Sequence, residues 1–221
     1  DLLGGRLQAF YDFTGDVLGK ARTWRRARPW RVDERAPAGV RVAVLQLNSA
    51  WVSGPNDEEK KLLLGQEQLR DALEAAADNF LRIALVHHPL EDLRDFDFAA
   101  SESVLGAPGG VHFLLYGHRH RTRSFAVHTA DGMLMRLAAP AAHVRGQWPR
   151  GYLSAELDLA AGQGAVRFFR YSSEGRGFWT ADTGAYEGAP EGVWRFDLPA
   201  GLRLGVDDAP PDEGFTDARR A

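Results

Sequence analysis

The chain has 221 residues, with 27 basic and 30 acidic side chains, and its net charge of −3 near neutral pH gives no sign of a polyanion-binding protein. It contains no cysteine, which excludes a disulfide framework and a thiolate metal site. No apolar run reaches the roughly 18 residues of a membrane span, and the N-terminus has no basic-then-apolar signal pattern. We therefore expect a cytoplasmic protein without membrane contact, long enough for one domain with a sizeable core.

Apolar periodicity in the first half of the chain predicts strands that alternate with helices. The predicted elements in chain order are a helix over 2–20, an irregular Arg- and Pro-rich connection over 21–39, a strand over 40–47, a helix over 66–77, a strand over 82–86, an acidic-aromatic loop over 91–98, a short helical stretch near 101–105, a Gly/Pro turn over 107–110 and a strand over 111–116. This order indicates βαβ units and a parallel sheet.

The second half of the chain is patterned as hairpins. Runs over 124–128 and 133–138 flank Asp131-Gly132, and runs over 152–159 and 165–171 flank Gly162-Gln163-Gly164. The predicted fold class is therefore α/β, with parallel strands first and antiparallel hairpins afterwards. We divide the chain into a lobe over 1–171, an irregular aromatic-anchored tail of the same domain over 172–209, and a disordered terminus over 210–221.

Two histidine clusters end two of the predicted buried strands. His87-His88-Pro89 follows the strand over 82–86, and Gly117-His118-Arg119-His120 follows the strand over 111–116. Because ligands gather at the carboxyl ends of parallel strands, we expect the two clusters to meet at one sheet edge. Imidazole is a common ligand of transition metals, so the pair predicts a metal site. His112, His128 and His143 are interpreted as structural or solvated.

The combination of His87-His88-Pro89 with Gly117-His118-Arg119-His120 resembles the last two metal motifs of calcineurin-like metallophosphoesterases. The segment Leu47-Asn48-Ser49-Ala50-Trp51 resembles the strand end that commonly precedes them, and the tail around 179–194 is similar to tails of bacterial members. The resemblance covers roughly residues 1–196. It implies that the chain is the C-terminal half of this family's α/β sandwich.

The resemblance implies a hydrolase with two divalent ions, Mn, Fe or Zn, held about 3.5–4 Å apart. By motif position His87 and His118 would bind one ion and His120 the other. His87 is preferred to His88 because it stands two residues before Pro89, as in the family pattern. His88, Asn48 and Arg119 are predicted to contact a phosphate-ester substrate, for which we favour a phosphodiester; nucleic acid enters only as a possible substrate.

The three earlier motifs of the family do not occur before His87. These are Asp-x-His, Gly-Asp-x-x-Asp and Gly-Asn-His; Gly15-Asp16 is a decoy for the second, because Asp16 lies in an apolar helical pattern. Three neutral imidazoles cannot hold two ions at hydrolytic spacing, so no catalytic residue is assigned within this chain. Asp92, Asp95 and Asp97 are interpreted as a solvated rim or substrate-gating loop rather than as replacement ligands.

Three functions stay open from the sequence. In the first, an N-terminal half of the same domain, in cis or as a separate fragment, completes a metal-dependent phosphoesterase, and the isolated chain is inactive. In the second, the fold is a catalytically inactive scaffold or partner-binding module. In the third, three histidines of this chain hold a single zinc ion that could hydrolyse esters.

Overall fold

The computed structural model describes residues 5, 7–18, 30–54, 59–119, 123–129, 132–142 and 150–204. Within these ranges the helices are α1 (Gln8–Leu18), α2 (Gln66–Ala75) and α3 (Asp95–Gly106), with single 3-10 turns at Pro37–Gly39, Leu90–Asp92 and Ala200–Leu202. The strands are β1 (Arg31–Arg35), β2 (Val42–Gln46), β3 (Leu81–Leu85), β4 (Phe113–Tyr116), β5 (Arg123–Thr129), β6 (Gly132–Ala138), β7 (Gly151–Asp158), β8 (Gln163–Ser172), β9 (Phe178–Ala181) and β10 (Val193–Asp197). No helix of these ranges is long and apolar enough to cross a bilayer.

The strands form two sheets. The larger has the order β1-β2-β3-β4-β6-β5, in which β2, β3, β4 and β6 run parallel and the edge strands β1 and β5 pair antiparallel with their neighbours. The smaller has the order β10-β8-β7, with β9 also paired to β8, and is antiparallel throughout. The predicted α/β class, with parallel strands first and antiparallel hairpins afterwards, is confirmed.

Each face of the larger sheet buries its own core, because side chains alternate along a strand. On one face Leu45, Ala84 and Leu114 pack with α2 and α3. On the other face Phe113 and Met135 pack against side chains of the smaller sheet, among them Val166 and Phe168. The molecule is thus layered as helices, sheet and second sheet, which is the arrangement expected of part of an α/β sandwich.

Two segments predicted to be irregular contain strands. β1 lies inside the connection predicted over 21–39: Val32 packs on the helix-side core while Arg31, Asp33 and Gln46 form a polar network on the strand surface. That alternation covers only five mostly charged residues, too few to stand out in the sequence. β9 and β10 lie in the predicted tail over 172–209, and both pair with the edge of β8 opposite β7.

Helix α3 begins at Asp95, within the loop predicted over 91–98, and not near residue 101. Its sequence shows little segregation of apolar and polar side chains, since Asp97 and Ser101 are among its buried residues. The turn predicted at Asp131 and the terminus over 210–221 lie outside the described residues.

Candidate metal centre

The candidate centre lies where β2, β3 and β4 end side by side. The backbone ladder continues past the strands: Leu47 N–H donates to Leu85 O at 2.8 Å, and Gly117 N–H donates to His87 O at 3.1 Å. These bonds keep the segments that follow the three strands level with one another along the edge of the sheet. The histidine clusters therefore meet at the carboxyl edge of the sheet, as expected for parallel strands.

Three histidines come together at this edge. His87, His88 and His118 each offer a ring nitrogen, and these nitrogens lie within 4.8 Å of one another. Nδ1 of His118 lies 3.2 Å from Nε2 of His87. Two nitrogens at about 2.0–2.1 Å from one tetrahedral zinc ion would be separated by about 3.3 Å. His87 and His118 therefore fit one divalent ion in both chemistry and spacing, and His88 offers a third nitrogen within 4.8 Å.

His88 is the buried member of the cluster, at 3% exposure. Its Nδ1 lies 2.8 Å from Ser49 Oγ, and its backbone N–H donates to the same oxygen at 3.3 Å. The ring centroids of His88 and His118 are 4.5 Å apart. With Nδ1 engaged by Ser49, His88 would bind a metal through Nε2. Contacts of this kind fix the tautomer and the ring orientation of metal-binding histidines.

Ser49 was missed in the sequence, although a signal for it exists. Residues 43, 45, 47 and 49 are all buried, so Ser49 continues the inward-facing series of β2 past the end of the strand. A polar residue in that series needs a buried partner, and here the partner is His88.

The predicted ligands and substrate contacts are placed as follows. His87 and His118 are adjacent, whereas His120 lies outside the described residues and stays a prediction. Asn48 Oδ1 accepts the N–H of Ala50 at 2.8 Å, and the Asn48 backbone is bound on both sides by the Gln68 amide. Arg119 forms an ion pair with Asp92. The substrate contacts of Asn48 and Arg119 stay predictions.

The interpretation of the acidic residues as a solvated rim is wrong for two of the three. Asp92 and Asp97 are buried, at 1% and 2% exposure, because each binds groups of neighbouring loops. The Asp97 carboxylate accepts the backbone N–H groups of Leu64 and Gly65, at 2.5 Å and 3.2 Å. Only Asp95 is solvated, and it pairs with Lys60 at 3.1 Å.

Two other residues complete the comparison: Asp16, predicted to be a decoy, and His112, predicted to be structural or solvated. Asp16 is exposed on α1. His112 precedes β4 at the opposite end of the strand from His118, and its Nδ1 accepts the Arg82 N–H at 3.1 Å. Burial, together with the charge of Arg82, lowers the pKa of His112 from 6.5 to about 4. His112 is therefore a neutral structural residue, as its sequence context suggested.

An open groove of about 580 Å³ adjoins the cluster. His87 and His118 are among the residues that line it, and its other walls are mostly apolar side chains such as Leu85, Leu115 and Pro140. The groove gives a ligand access to both imidazoles from the face of the sheet that carries the second sheet.

Among the solved structures that resemble this chain are two of low identity. The chain is similar to the sulfate thiohydrolase SoxB of Thermus thermophilus, solved in complex with glycerol, at 20% identity over 63% of this chain and 24% of that one, with a TM-score of 0.38. It is similar to Vps29 of Chaetomium thermophilum at 11% identity over 83% of this chain and 63% of that one, with a TM-score of 0.29. No protein-family model and no curated protein matches. The chain thus spans about a quarter of the first structure and under two thirds of the second, and neither likeness bears on activity.

Proposed function

We propose that this chain is the histidine-bearing portion of a metal-dependent phosphoesterase, completed by an N-terminal half of the same domain and acting on phosphodiesters through two divalent ions. The observation that supports the proposal is the convergence of three imidazoles from two strand ends within 4.8 Å. A shared edge position follows from the parallel sheet alone. The His87 and His118 nitrogens also lie 3.2 Å apart, a hydrogen-bond distance that matches the spacing two donors would have on one ion.

Within the described residues, His87 and His118 would hold one ion, and His88 faces the same point. A metal-binding role for His88 therefore competes with the substrate contact predicted for it. The second ion is assigned to His120 by motif position. When bound, the ions would supply a Lewis acid for a phosphoryl oxygen and an activated water. Neutral imidazoles bring no negative charge, so the two-ion site needs carboxylates from the completing half.

The remaining groups would position the substrate and the ligands. Ser49 fixes the ring of His88, and the turn around Asn48 closes the end of β2 next to it. Arg119 is half exposed and can direct N–H groups toward a phosphate while it stays paired with Asp92. A cytoplasmic location stays a prediction.

Metal binding by this chain is the first test. Calorimetric titration of Mn²⁺, Zn²⁺ and Co²⁺ should give one site in the wild-type chain, and His118→Ala and His87→Ala should weaken it by at least 100-fold. His112→Asn is the matched control, since His112 is a partly buried histidine at the opposite end of β4 from His118. Unchanged affinity in both His118→Ala and His87→Ala would refute the ligand assignment. His88→Ala separates the roles of His88, because only a ligand role predicts a comparable loss of affinity.

Activity is the second test and needs the completed protein. With bis-p-nitrophenyl phosphate as the probe, metal-stimulated hydrolysis should be abolished by His118→Ala or His120→Ala without loss of the fold. The isolated chain should hydrolyse the probe little or not at all. Turnover by the isolated chain would contradict the need for a second half. A completed protein that neither binds metal nor hydrolyses esters would instead support the inactive scaffold.

A further inference from the structure

His118 has an unusual backbone conformation. Its φ is +68°, although it is not a glycine, and the Arg119 N–H donates to Gly117 O at 2.8 Å across it. A hydrogen bond that spans one residue with positive φ defines the classic γ-turn, which is rare and strained. Such a conformation persists only where the surroundings fix it. Something beyond the short turn itself must therefore hold His118 in this position.

Besides the contacts of the His118 ring with His87 and His88, one contact that can do so is made by the next residue. Arg119 Nη2 donates to Oδ1 of Asp92, whose side chain is 2% exposed while that of Arg119 is 48% exposed. The hydrogen bond to Asp92 raises the pKa of Arg119, and the nearby carboxylates of Glu59 and Glu91 act in the same direction. The guanidinium is thus bound at a buried carboxylate in an acidic setting.

Asp92 is itself held in place by backbone hydrogen bonds. It closes the 3-10 turn that follows Pro89, and its backbone oxygen accepts the N–H groups of Lys61 and Leu62, each at 3.1 Å. The neighbouring Glu91 is bound by the buried Arg136 at 2.7 Å. The loop that begins at His87 is therefore anchored at several positions independent of Arg119.

We propose that Asp92 is a positioning residue of the metal centre: by binding Arg119 it ties the loop of His118 to the loop of His87 and His88, and so holds His118 in its γ-turn. This inference rests on the proposed metal site, since it assigns to Asp92 the task of keeping the His118 and His87 donors at ion-binding distance. Asp92 acts through Arg119 and not as a ligand.

The test is a double-mutant cycle on Co²⁺ binding with Asp92→Asn, Arg119→Gln and the double variant. Each single variant should weaken Co²⁺ binding by about 10–100-fold, as is typical of residues that orient a ligand. It should also alter the visible absorption bands of bound Co²⁺. The double variant should be no weaker than the weaker single variant, because both changes remove one interaction. Asp95→Asn, an exposed acid three residues along, is the matched control and should bind as the wild type does.

The outcomes separate the two proposals. Wild-type affinity in Arg119→Gln, whose exposed side chain leaves the buried carboxylate in place, would overturn the positioning role while leaving the metal site intact. If the wild-type chain binds no Co²⁺, the proposed function fails, and amide hydrogen exchange then decides the positioning role. The Arg119 N–H, which closes the γ-turn, should exchange at least 10-fold faster in Asp92→Asn than in Asp95→Asn. Equal rates would refute the inference.

Discussion

Ser49 Oγ lies 2.8 Å from Nδ1 of His88 and also accepts the His88 backbone N–H at 3.3 Å. The hydroxyl thus joins the end of β2 to the loop after β3 at a buried position. Because both contacts are made by one oxygen, Ser49 fixes the height of His88 in the loop as well as the rotation of its ring.

Ser49→Ala should weaken divalent metal binding by about 10-fold or more, since the His88 ring loses the partner that fixes its tautomer. The free energy of unfolding should fall by about 1–2 kcal/mol, as expected for the loss of a buried hydrogen bond. Metal titration and urea unfolding measure the two effects. Ser101→Ala is the matched control: Ser101 is equally buried, and its Oγ has no hydrogen-bond partner among the described residues. A metal affinity that falls equally in both variants would point to general loosening of the fold.

Arg136 on β6 is buried, so removing the carboxylates around it should lower the free energy of unfolding more than removing the arginine itself. Arg136 pairs with Glu91 at 2.7 Å and with Glu102 at 3.3 Å, while it is 2% exposed and both carboxylates reach water. The double change Glu91→Gln and Glu102→Gln leaves a buried cation without these two counter-charges, which costs about 3–5 kcal/mol. Arg136→Met leaves two acids that solvent can reach and fills most of the space, so we expect a smaller loss. Chemical denaturation of both variants ranks them, and the reverse order would contradict the argument.

The neutral state of His112 makes the fold sensitive to acid. In the folded state the pKa of His112 is depressed from 6.5 to about 4. Between these two pH values the unfolded chain therefore binds a proton at His112 and the folded chain does not. Stability should therefore decrease as the pH falls from about 6.5 to 4, by at most about 3 kcal/mol for this residue. His112→Asn keeps an acceptor for the Arg82 N–H and removes the titrating group. The unfolding free energy of this variant, measured by urea at pH 7 and pH 4.5, should depend less on pH than that of the wild type; an identical dependence would disprove the assignment.

The turn between α3 and β4 requires a glycine at position 110, because the backbone there passes too close to Leu105 for a side chain to fit. A Cβ at Gly110 would lie 2.2 Å from the backbone oxygen of Leu105, which also accepts the Val111 N–H at 2.9 Å. Gly110→Ala should therefore destabilise the fold by about 1–3 kcal/mol through forced backbone movement. At Gly201 a Cβ would meet nothing within 4 Å, so Gly201→Ala should be nearly neutral. Thermal unfolding compares the two, and equal melting temperatures would show that the turn can relax.

The parallel part of the fold was predictable because its strands are apolar on both faces. Leu114 faces the helices while Phe113 faces the second sheet, and such two-sided burial produces the continuous apolar run that marks a central strand. The meeting of His87 and His118 followed from two such runs ending in histidine. β1 was missed because only one apolar side chain of this edge strand, the partly buried Val32, packs on the core, and its other residues are polar.

Long-range polar contacts were beyond the reach of sequence patterns. Asp92 and Asp97 stand in an acidic run that suggests solvent exposure, and only the tertiary structure supplies their partners, Arg119 and the amides of Leu64 and Gly65. For the same reason the contact of Ser49 with His88 could not be read from residues that lie 39 positions apart.

The alternation of Phe113, Leu114 and Leu115 between two cores makes β4 intolerant of insertion or deletion. A shift of one residue in this strand would turn the helix-facing side chain toward the second sheet and its neighbours toward the helices, so both interiors would be mispacked at once. The same shift would carry Gly117 and His118 about 3.3 Å along the sheet edge, away from His87. Natural length variation in related chains should therefore fall in the loops on either side of β4, and not within it.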